Sequence, residues 1–231
     1  MSHLIPMKIK TLLKKIPLFS DFFLKGTQII CAILLSFLFI SCSENKESNQ
    51  EAALISNQDY KNVFKPLDGN WKGKFYVYSD KRGQTKEPAQ PDQIDEKYLE
   101  KLPLKEELVI DVAQTYVSEN PYFQKVMITD TYPSANGEMN SVKSEGFNKV
   151  ENGKLVCVVN KPDEKVVHQG RLDQEHTIIW SRNISNPLKI EYFRETVRQD
   201  SYTIIGWGYY GDDNPKLSPK TWFRGDYKKV K

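Results

Sequence analysis

The sequence predicts an all-β protein that folds as a single antiparallel, up-and-down barrel of about ten strands. From residue 59 onward, short apolar and aromatic runs alternate with a period of two, the pattern of half-buried strands. Only a few turn residues separate most of these runs, which leaves no room for the helical crossovers of a parallel sheet. Closing the sheet into a barrel hides the strand edges, whereas the alternative, a two-sheet β-sandwich, needs longer crossing connections.

The chain begins with a segment typical of an export signal. Basic residues up to Lys25 precede an apolar run over residues 29–40, which is short for a bilayer span but suits the hydrophobic region of a signal peptide. The residues Leu-Phe-Ile-Ser-Cys follow at positions 38–42. A plain signal peptide and an N-terminal membrane anchor are both open alternatives, and the start is either Met1 or Met7.

The residues around Cys42 resemble the lipobox of bacterial lipoproteins, with the small Ser41 before the bond to be cleaved. The resemblance implies that residues 1–41 are a lipoprotein signal peptide. It also implies that Cys42 carries a thioether-linked diacylglycerol and an N-linked acyl chain such as palmitate, which would anchor the protein to a membrane. Ser43 stands where the sorting rule of enteric bacteria has Asp for inner-membrane retention, which implies the outer membrane of the cell envelope.

Charge and composition argue against a nucleic-acid-binding protein and against a multi-span membrane protein. The chain has 33 basic and 30 acidic residues, but five of the basic and only one of the acidic residues precede Cys42, so the remainder is nearly neutral. We therefore expect no nucleic-acid partner, and we expect a monomer. A mean hydropathy of -0.57 excludes a multi-span membrane protein. Residues 42–58 are polar and are expected to form a disordered tether, followed by a folded domain over residues 59–231.

Ten candidate strands follow this tether. They cover residues 70–78, 107–114, 122–131, 141–150, 154–160, 165–171, 176–182, 188–197, 201–210 and 220–230. Asn152-Gly153 predicts a type I' hairpin turn, because both residues tolerate a positive φ. The dipeptides at 173–174 and 199–200 separate two further strand pairs at hairpin distance.

One segment, residues 81–104, interrupts this strand pattern. It contains Ile94, Tyr98 and Lys101 at helical spacing, and Asp92 precedes them as a candidate N-cap. The sequence therefore predicts a short helix between the first and second strands.

Gly69-Asn70-Trp71 at the start of the first strand resembles the G-x-W signature of the calycin superfamily, which comprises lipocalins and fatty-acid-binding proteins. Arg224 on the last strand matches the Arg that this superfamily places against the first-strand Trp. The resemblance implies a lipocalin-like barrel over residues 59–231, in which Arg224 makes a cation–π contact with Trp71 at a plugged base. The other end would then be open to a ligand.

The eighth candidate strand suggests how a ligand could be held. Its alternation places Tyr192 and Arg194 on one face, which we expect to point inward, where Arg and Tyr could bind a carboxylate. Trp180 and Arg182 share a face of the preceding strand and are further candidates. We therefore expect a small hydrophobic or amphipathic ligand, such as a fatty-acid-like molecule.

Three alternatives stay open. The aromatic side chains could be packed core, with Arg194 bridging to a neighbouring carboxylate. The protein could instead be a surface or periplasmic interaction lipoprotein with a filled barrel and no ligand. An enzyme on a calycin scaffold is the third alternative.

Signals for catalysis or metal binding are few. The sequence has no G-x-S-x-G, P-loop or dinucleotide-binding motif. Cys157 has no partner for a disulfide once Cys42 is acylated, and it is expected to be a small buried residue. His168 and His176 lack a third ligand at a suitable spacing. We therefore expect no catalytic residue, cofactor or metal site.

Overall fold

The structure is a computed structural model that describes residues 57–134 and 136–231, and this part of the chain forms a closed, ten-stranded antiparallel barrel. The predicted fold class is confirmed, and the sandwich alternative is wrong. The strands are β1 (Gly69–Asp80), β2 (Leu104–Asn120), β3 (Phe123–Pro133), β4 (Met139–Glu151), β5 (Lys154–Asn160), β6 (Lys165–Gln174), β7 (Thr177–Ser185), β8 (Leu188–Arg198), β9 (Ser201–Tyr210) and β10 (Thr221–Val230). The predicted signal peptide, Cys42 and most of the predicted tether lie outside the described residues.

Closure is achieved by β1, which pairs with β2 on one side and with β10 on the other. Strands β2 to β9 each pair with their two neighbours in sequence, and β10 pairs with β9 and β1, so each of the ten strands has a partner along both edges. All of the strand pairing and the core of the barrel are contained within residues 57–231.

The hairpin turns follow local backbone preferences. Asn152 and Gly153 have φ values of 51° and 69°, which confirms the predicted turn between β4 and β5. Gln199, with φ 49°, begins the tight turn between β8 and β9. The turn predicted at 173–174 is displaced, because β6 continues to Gln174 and His176, with φ 61°, takes the left-handed position.

The predicted helix between the first two strands is present as α1 (Glu96–Glu100). Its N-cap is Asp95, whose carboxylate accepts a hydrogen bond from the backbone N–H of Tyr98 at 2.8 Å, so the prediction of Asp92 as the cap is wrong. Leu99 and Ile94 are buried against the outer wall of the barrel. No helix within residues 57–134 and 136–231 is long and apolar enough to cross a membrane.

Two 3-10 helices, Gln58–Tyr60 and Lys65–Leu67, lead into β1 and cover one end of the barrel. Phe64 and Leu67 are buried there, at 2% and 3% exposure. The backbone N–H of Asn62 also donates to the carbonyl of Pro121 in the β2–β3 turn, at 2.9 Å. This end is therefore closed.

Candidate functional site

The interior of the barrel is lined by the alternate residues of each strand that point inward. On β8 these include Phe193 and Glu195, whereas Tyr192 and Arg194 lie on the outer surface. The expectation that Tyr192 and Arg194 face the interior is therefore wrong. The physical reason is that residues 81–103 cover the outer face of β8, so both faces of this strand carry apolar side chains and alternation alone does not reveal which one is inside.

Tyr192 and Arg194 have partners on the outer wall. The ring of Tyr192 stacks on Trp207, with 5.3 Å between centroids and 3° between planes, and its hydroxyl donates to the carbonyl of Asp92. The Arg194 guanidinium lies 2.8 Å from a carboxylate oxygen of Asp173. Tyr192 thus fastens the β1–β2 connection to the barrel, and Arg194 makes the carboxylate bridge that was the alternative reading of its role.

Trp180 and Arg182 share a face of β7, as its alternation predicts, and Trp180 lines the interior of the barrel. The indole Nε1 of Trp180 donates to Glu195 Oε2 at 2.8 Å. Arg182 is 7% exposed and forms ion pairs with Glu164 and, at 3.5 Å, with Glu191. The guanidinium is therefore already neutralised by two carboxylates, and a ligand contact for either side chain stays a prediction.

The barrel encloses a cavity of about 250 Å³. Its wall is mainly apolar and aromatic, and Trp180, at 3% exposure, forms part of it. The other apolar and aromatic lining residues are Phe75, Ile110, Val112, Tyr116, Val126, Ile128, Val159, Val166, Phe193, Tyr202, Ile204 and Tyr227. Such a wall favours apolar ligands and leaves specificity to a few polar groups.

Trp71 seals the closed end. Its indole is 1% exposed, donates to the carbonyl of Leu67 at 2.7 Å and meets the ring of Tyr202 edge-on, with 5.7 Å between centroids. The Lys229 ammonium lies 5.3 Å from the centroid of the indole. Gly69 has φ +120°, a conformation that favours glycine, and a Cβ there would come within 2.9 Å of the Lys229 side chain. The G-x-W pattern therefore matches a local packing requirement in this barrel.

The predicted contact between Arg224 and Trp71 is wrong. Arg224 lies on the outer face of β10, where its Nε is 2.7 Å from Asp226 and a terminal nitrogen is 3.7 Å from Glu96. Residues five apart on a strand point to opposite faces, so Arg224 and Lys229 cannot both cover the indole. Lys229 takes the place over the ring that the resemblance implied for Arg224.

Glu195 is the principal ionisable group inside the cavity. Its two carboxyl oxygens lie 2.8 Å from Trp180 Nε1 and 2.9 Å from the Tyr202 hydroxyl. Desolvation raises the pKa of Glu195 by more than these hydrogen bonds lower it. The carboxyl group of Glu195 therefore stays protonated to a higher pH than a glutamate in solvent does.

A second polar feature lies on β4. Asn148 and Ser144 are both 3% exposed and line the cavity. The Asn148 amide nitrogen donates to Gln124 Oε1 at 3.0 Å. Within residues 57–134 and 136–231, Asn148 Oδ1 and Ser144 Oγ have no hydrogen-bond partner. Unpartnered buried polar atoms are rare in folded proteins and mark places where a further polar group is expected.

The cavity opens at the end opposite Trp71. Lys161, which is exposed, and Asp130 lie on its rim. Burial raises the pKa of Asp130, and the nearby Lys161 opposes this shift. His168 also lines the cavity, and its Nε2 lies 3.2 Å from Glu191 Oε2. The rim therefore carries one ammonium group beside a carboxyl group, while the imidazole is already paired.

Cys157 borders the cavity but is enclosed by the barrel. Desolvation raises the pKa of its thiol, with a further contribution from Glu195. In the chain from Ser43 onward it is the single cysteine. We expect the folded protein at pH 8 to react with dithionitrobenzoate at least roughly 100-fold more slowly than the urea-unfolded chain, because the thiolate is the reactive form. Equal rates in the two states, followed by absorbance, would contradict an enclosed thiol.

The polar groups of the cavity were not predicted from the sequence. Glu195 shares a face of β8 with Lys189, Glu191, Phe193 and Val197, and a face with three charged residues reads as an outward one. The signal that could have identified it is the pair of large apolar residues, Phe193 and Val197, on that same face. On β4, Asn148 gave no signal, because its role depends on distant residues.

Comparison with known proteins identifies no family. No protein-family model matches the sequence, and no curated protein matches it. The solved structures similar to it include a redesigned β-barrel, with 9% sequence identity and a TM-score of 0.34, over 74% of this chain and 97% of that one. A likeness at that level supports no conclusion about function.

Proposed function

We propose that this protein is a membrane-anchored lipoprotein of the bacterial cell envelope, most consistent with the outer membrane, whose barrel binds a small hydrophobic or amphipathic molecule. The observation that carries the binding proposal is the apolar cavity of about 250 Å³ inside a barrel that is plugged at one end. The anchor rests on the lipobox resemblance at Cys42 alone.

The cavity volume limits the size of the ligand. A cavity of about 150 Å³ accepts benzene, so this one has room for roughly ten non-hydrogen atoms. Pockets for drug-sized ligands begin at about 300 Å³. The volume therefore favours a substituted ring or a short chain over a complete long-chain fatty acid.

The binding proposal can be tested on the chain from Ser43 to Lys231, which contains all ten strands of the barrel. After expression in a bacterium, native mass spectrometry should show a copurified small molecule, and the stripped protein should bind propylbenzene in a calorimetric titration. Protein that is empty on purification and does not bind propylbenzene would overturn the proposal.

Ser144→Leu should fill part of the cavity and weaken binding. The variant replaces an unpartnered hydroxyl with apolar atoms that occupy empty space, so we expect at least about a tenfold weaker affinity for propylbenzene and about 1 kcal/mol of added stability. Lys143→Leu, at the adjacent outward position of β4, is the matched control and should leave the affinity unchanged. Unchanged binding in Ser144→Leu would place the ligand elsewhere.

A filled barrel that acts as an interaction protein is the second candidate. It is favoured by a cavity volume that falls below the usual range for ligand pockets. Failure of wild-type protein to bind propylbenzene or to retain any small molecule would favour this candidate.

An enzyme on the same scaffold is the third candidate, since His168, Glu195 and Tyr202 face one cavity. A neutral carboxylic acid in an apolar site can serve as a proton donor. This candidate requires that the copurified molecule be converted by wild type and not by Glu195→Gln.

A further inference from the structure

The orientation of the Asn148 amide is determined by a chain of hydrogen bonds that begins outside the cavity. Gln124 Nε2 donates to the carbonyl of Phe64 at 2.8 Å and to Asp68 Oδ1 at 2.9 Å, and both of these partners can only accept. Gln124 Oε1 must therefore be the end that faces Asn148. Asn148 meets it with its amide nitrogen at 3.0 Å, which leaves Oδ1 as an acceptor without a partner among the described residues, on a side chain that lines the cavity.

The charge of Asp68 supports this orientation of the Gln124 amide. Its Oδ1 also accepts hydrogen bonds from the backbone and hydroxyl of Ser118, at 2.9 and 2.8 Å. Desolvation opposes its ionisation, but the hydrogen bonds from Lys65, Gln124 and Ser118 outweigh it and lower the pKa of Asp68. As a carboxylate it has no proton to donate, so the amide of Gln124 cannot be reversed without losing two hydrogen bonds.

Among residues 57–134 and 136–231, no free positive charge lies deep in the cavity to receive an anion. Arg182 is neutralised by Glu164 and Glu191, and His168 is paired with Glu191. Lys161 is exposed on the rim. A carboxylate ligand at the base of the cavity would bring its own oxygens against the acceptor Asn148 Oδ1, without a cation to compensate.

We propose that the cavity selects neutral amphipathic molecules that carry a hydrogen-bond donor, a hydroxyl or an N–H, directed to Asn148 Oδ1. This inference rests on the proposed binding function and adds the chemical class of the ligand. Ser144 lies four residues away on the same face of β4 and supplies a second polar group, a hydroxyl that can donate or accept a hydrogen bond. The aromatic and aliphatic wall receives the apolar remainder of the molecule.

The test compares three probes of similar size on the chain from Ser43 to Lys231: 4-propylphenol, its methyl isostere 4-propyltoluene, and 4-ethylbenzoate. Dissociation constants would be measured by isothermal titration calorimetry at pH 7.5. We expect the phenol to bind about tenfold more tightly than the toluene, because the toluene leaves the buried acceptor unsatisfied. The benzoate should bind more weakly than the phenol.

Asn148→Leu removes the acceptor, so the ratio of the phenol and toluene affinities should fall from about ten to about one. The variant also leaves Gln124 Oε1 without its donor, so circular dichroism must show that it folds; if it does not, the wild-type ratio decides alone. Lys143→Leu is the control and should preserve the ratio.

Each result is decisive. Equal affinity of wild type for the phenol and the toluene would overturn the inference and leave the binding function intact, since ordered water would then satisfy Asn148. Tighter binding of the benzoate would show anion recognition and would also overturn it. If neither neutral probe nor propylbenzene binds, the proposed function fails, and this inference fails with it.

Discussion

Replacing Trp71 with alanine is expected to lower the free energy of unfolding by about 3–5 kcal/mol. The indole is 1% exposed and lies where the segment before β1 closes the barrel. The substitution removes its packing against Tyr202, at 5.7 Å between centroids, and its 2.7 Å hydrogen bond to the carbonyl of Leu67. Urea unfolding of the chain from Ser43 onward, followed by far-ultraviolet circular dichroism, measures the loss.

Double-mutant cycles can show whether the cation in contact with Trp71 is Lys229 or Arg224. Lys229→Ala should couple to Trp71→Ala by about 0.5–1 kcal/mol, the size of an exposed cation–π contact. Arg224→Ala is the matched control, because Arg224 is paired with Asp226 on the other face of β10. Its effect should add to that of Trp71→Ala within about 0.5 kcal/mol. Coupling to Arg224 in place of Lys229 would restore the arrangement implied by the calycin resemblance.

The barrel itself could be predicted because its determinants are local. The period of two, the short turns and the positive-φ pair Asn152-Gly153 each specify antiparallel neighbours without reference to distant residues. Ten such strands in succession leave closure between the first and the last as the way to remove both edges. The pairing of β1 with β10 follows from this argument.

The inward face of β8 could not be predicted in the same way. Alternation separates two faces but does not say which one is inside when both contact protein. The outer face of β8 holds Tyr192 against residues 81–103, so it is as apolar as an interior face. The helix α1 within those residues has only five residues, which is too short to indicate where the segment packs. The position of the segment against β8 is therefore determined by tertiary contacts.

The polar chemistry of the cavity depends on contacts between distant parts of the chain. The free acceptor on Asn148 exists because Phe64 and Asp68 in one segment orient Gln124 on β3, and Gln124 in turn orients Asn148 on β4. No sequence pattern carries that information. The neutral state favoured for Glu195 likewise depends on enclosure by the whole barrel, since desolvation is what raises its pKa.

Replacing Glu195 with leucine is expected to cause the second large loss of stability, after the loss caused by Trp71→Ala. Glu195→Leu leaves both Trp180 Nε1 and the Tyr202 hydroxyl without their partner, and at about 1–3 kcal/mol for each unsatisfied group we expect a loss of about 2–6 kcal/mol. Glu195→Gln keeps one acceptor and one donor in the same places. It should therefore fold like wild type, and the two variants can be compared by urea unfolding.

Glu195→Gln also has a predicted pH dependence. Because desolvation raises the pKa of Glu195 in the folded state, the stability it contributes is fully present below the ordinary carboxyl pKa of about 4.3. That stability is lost as the pH rises through the raised pKa, since the unfolded chain ionises first. Glu195→Gln should thus equal wild type in stability near pH 4 and exceed it at pH 8. A difference that does not change with pH would contradict a raised pKa.

Glu191→Gln is the matched control, with the opposite sign. Desolvation opposes ionisation of Glu191, but hydrogen bonds from His168 and Tyr210 and the charge of Arg182 outweigh it and lower the pKa. Stability from this group is present above the ordinary carboxyl pKa and is lost as the pH falls through the lowered value. Glu191→Gln should therefore be less stable than wild type at pH 8, with a smaller deficit at low pH. The pKa values of two carboxyl groups four residues apart on β8 would then be shifted in opposite directions, because Glu191 contacts the guanidinium of Arg182 whereas the hydrogen-bond donors to Glu195, on Trp180 and Tyr202, are neutral.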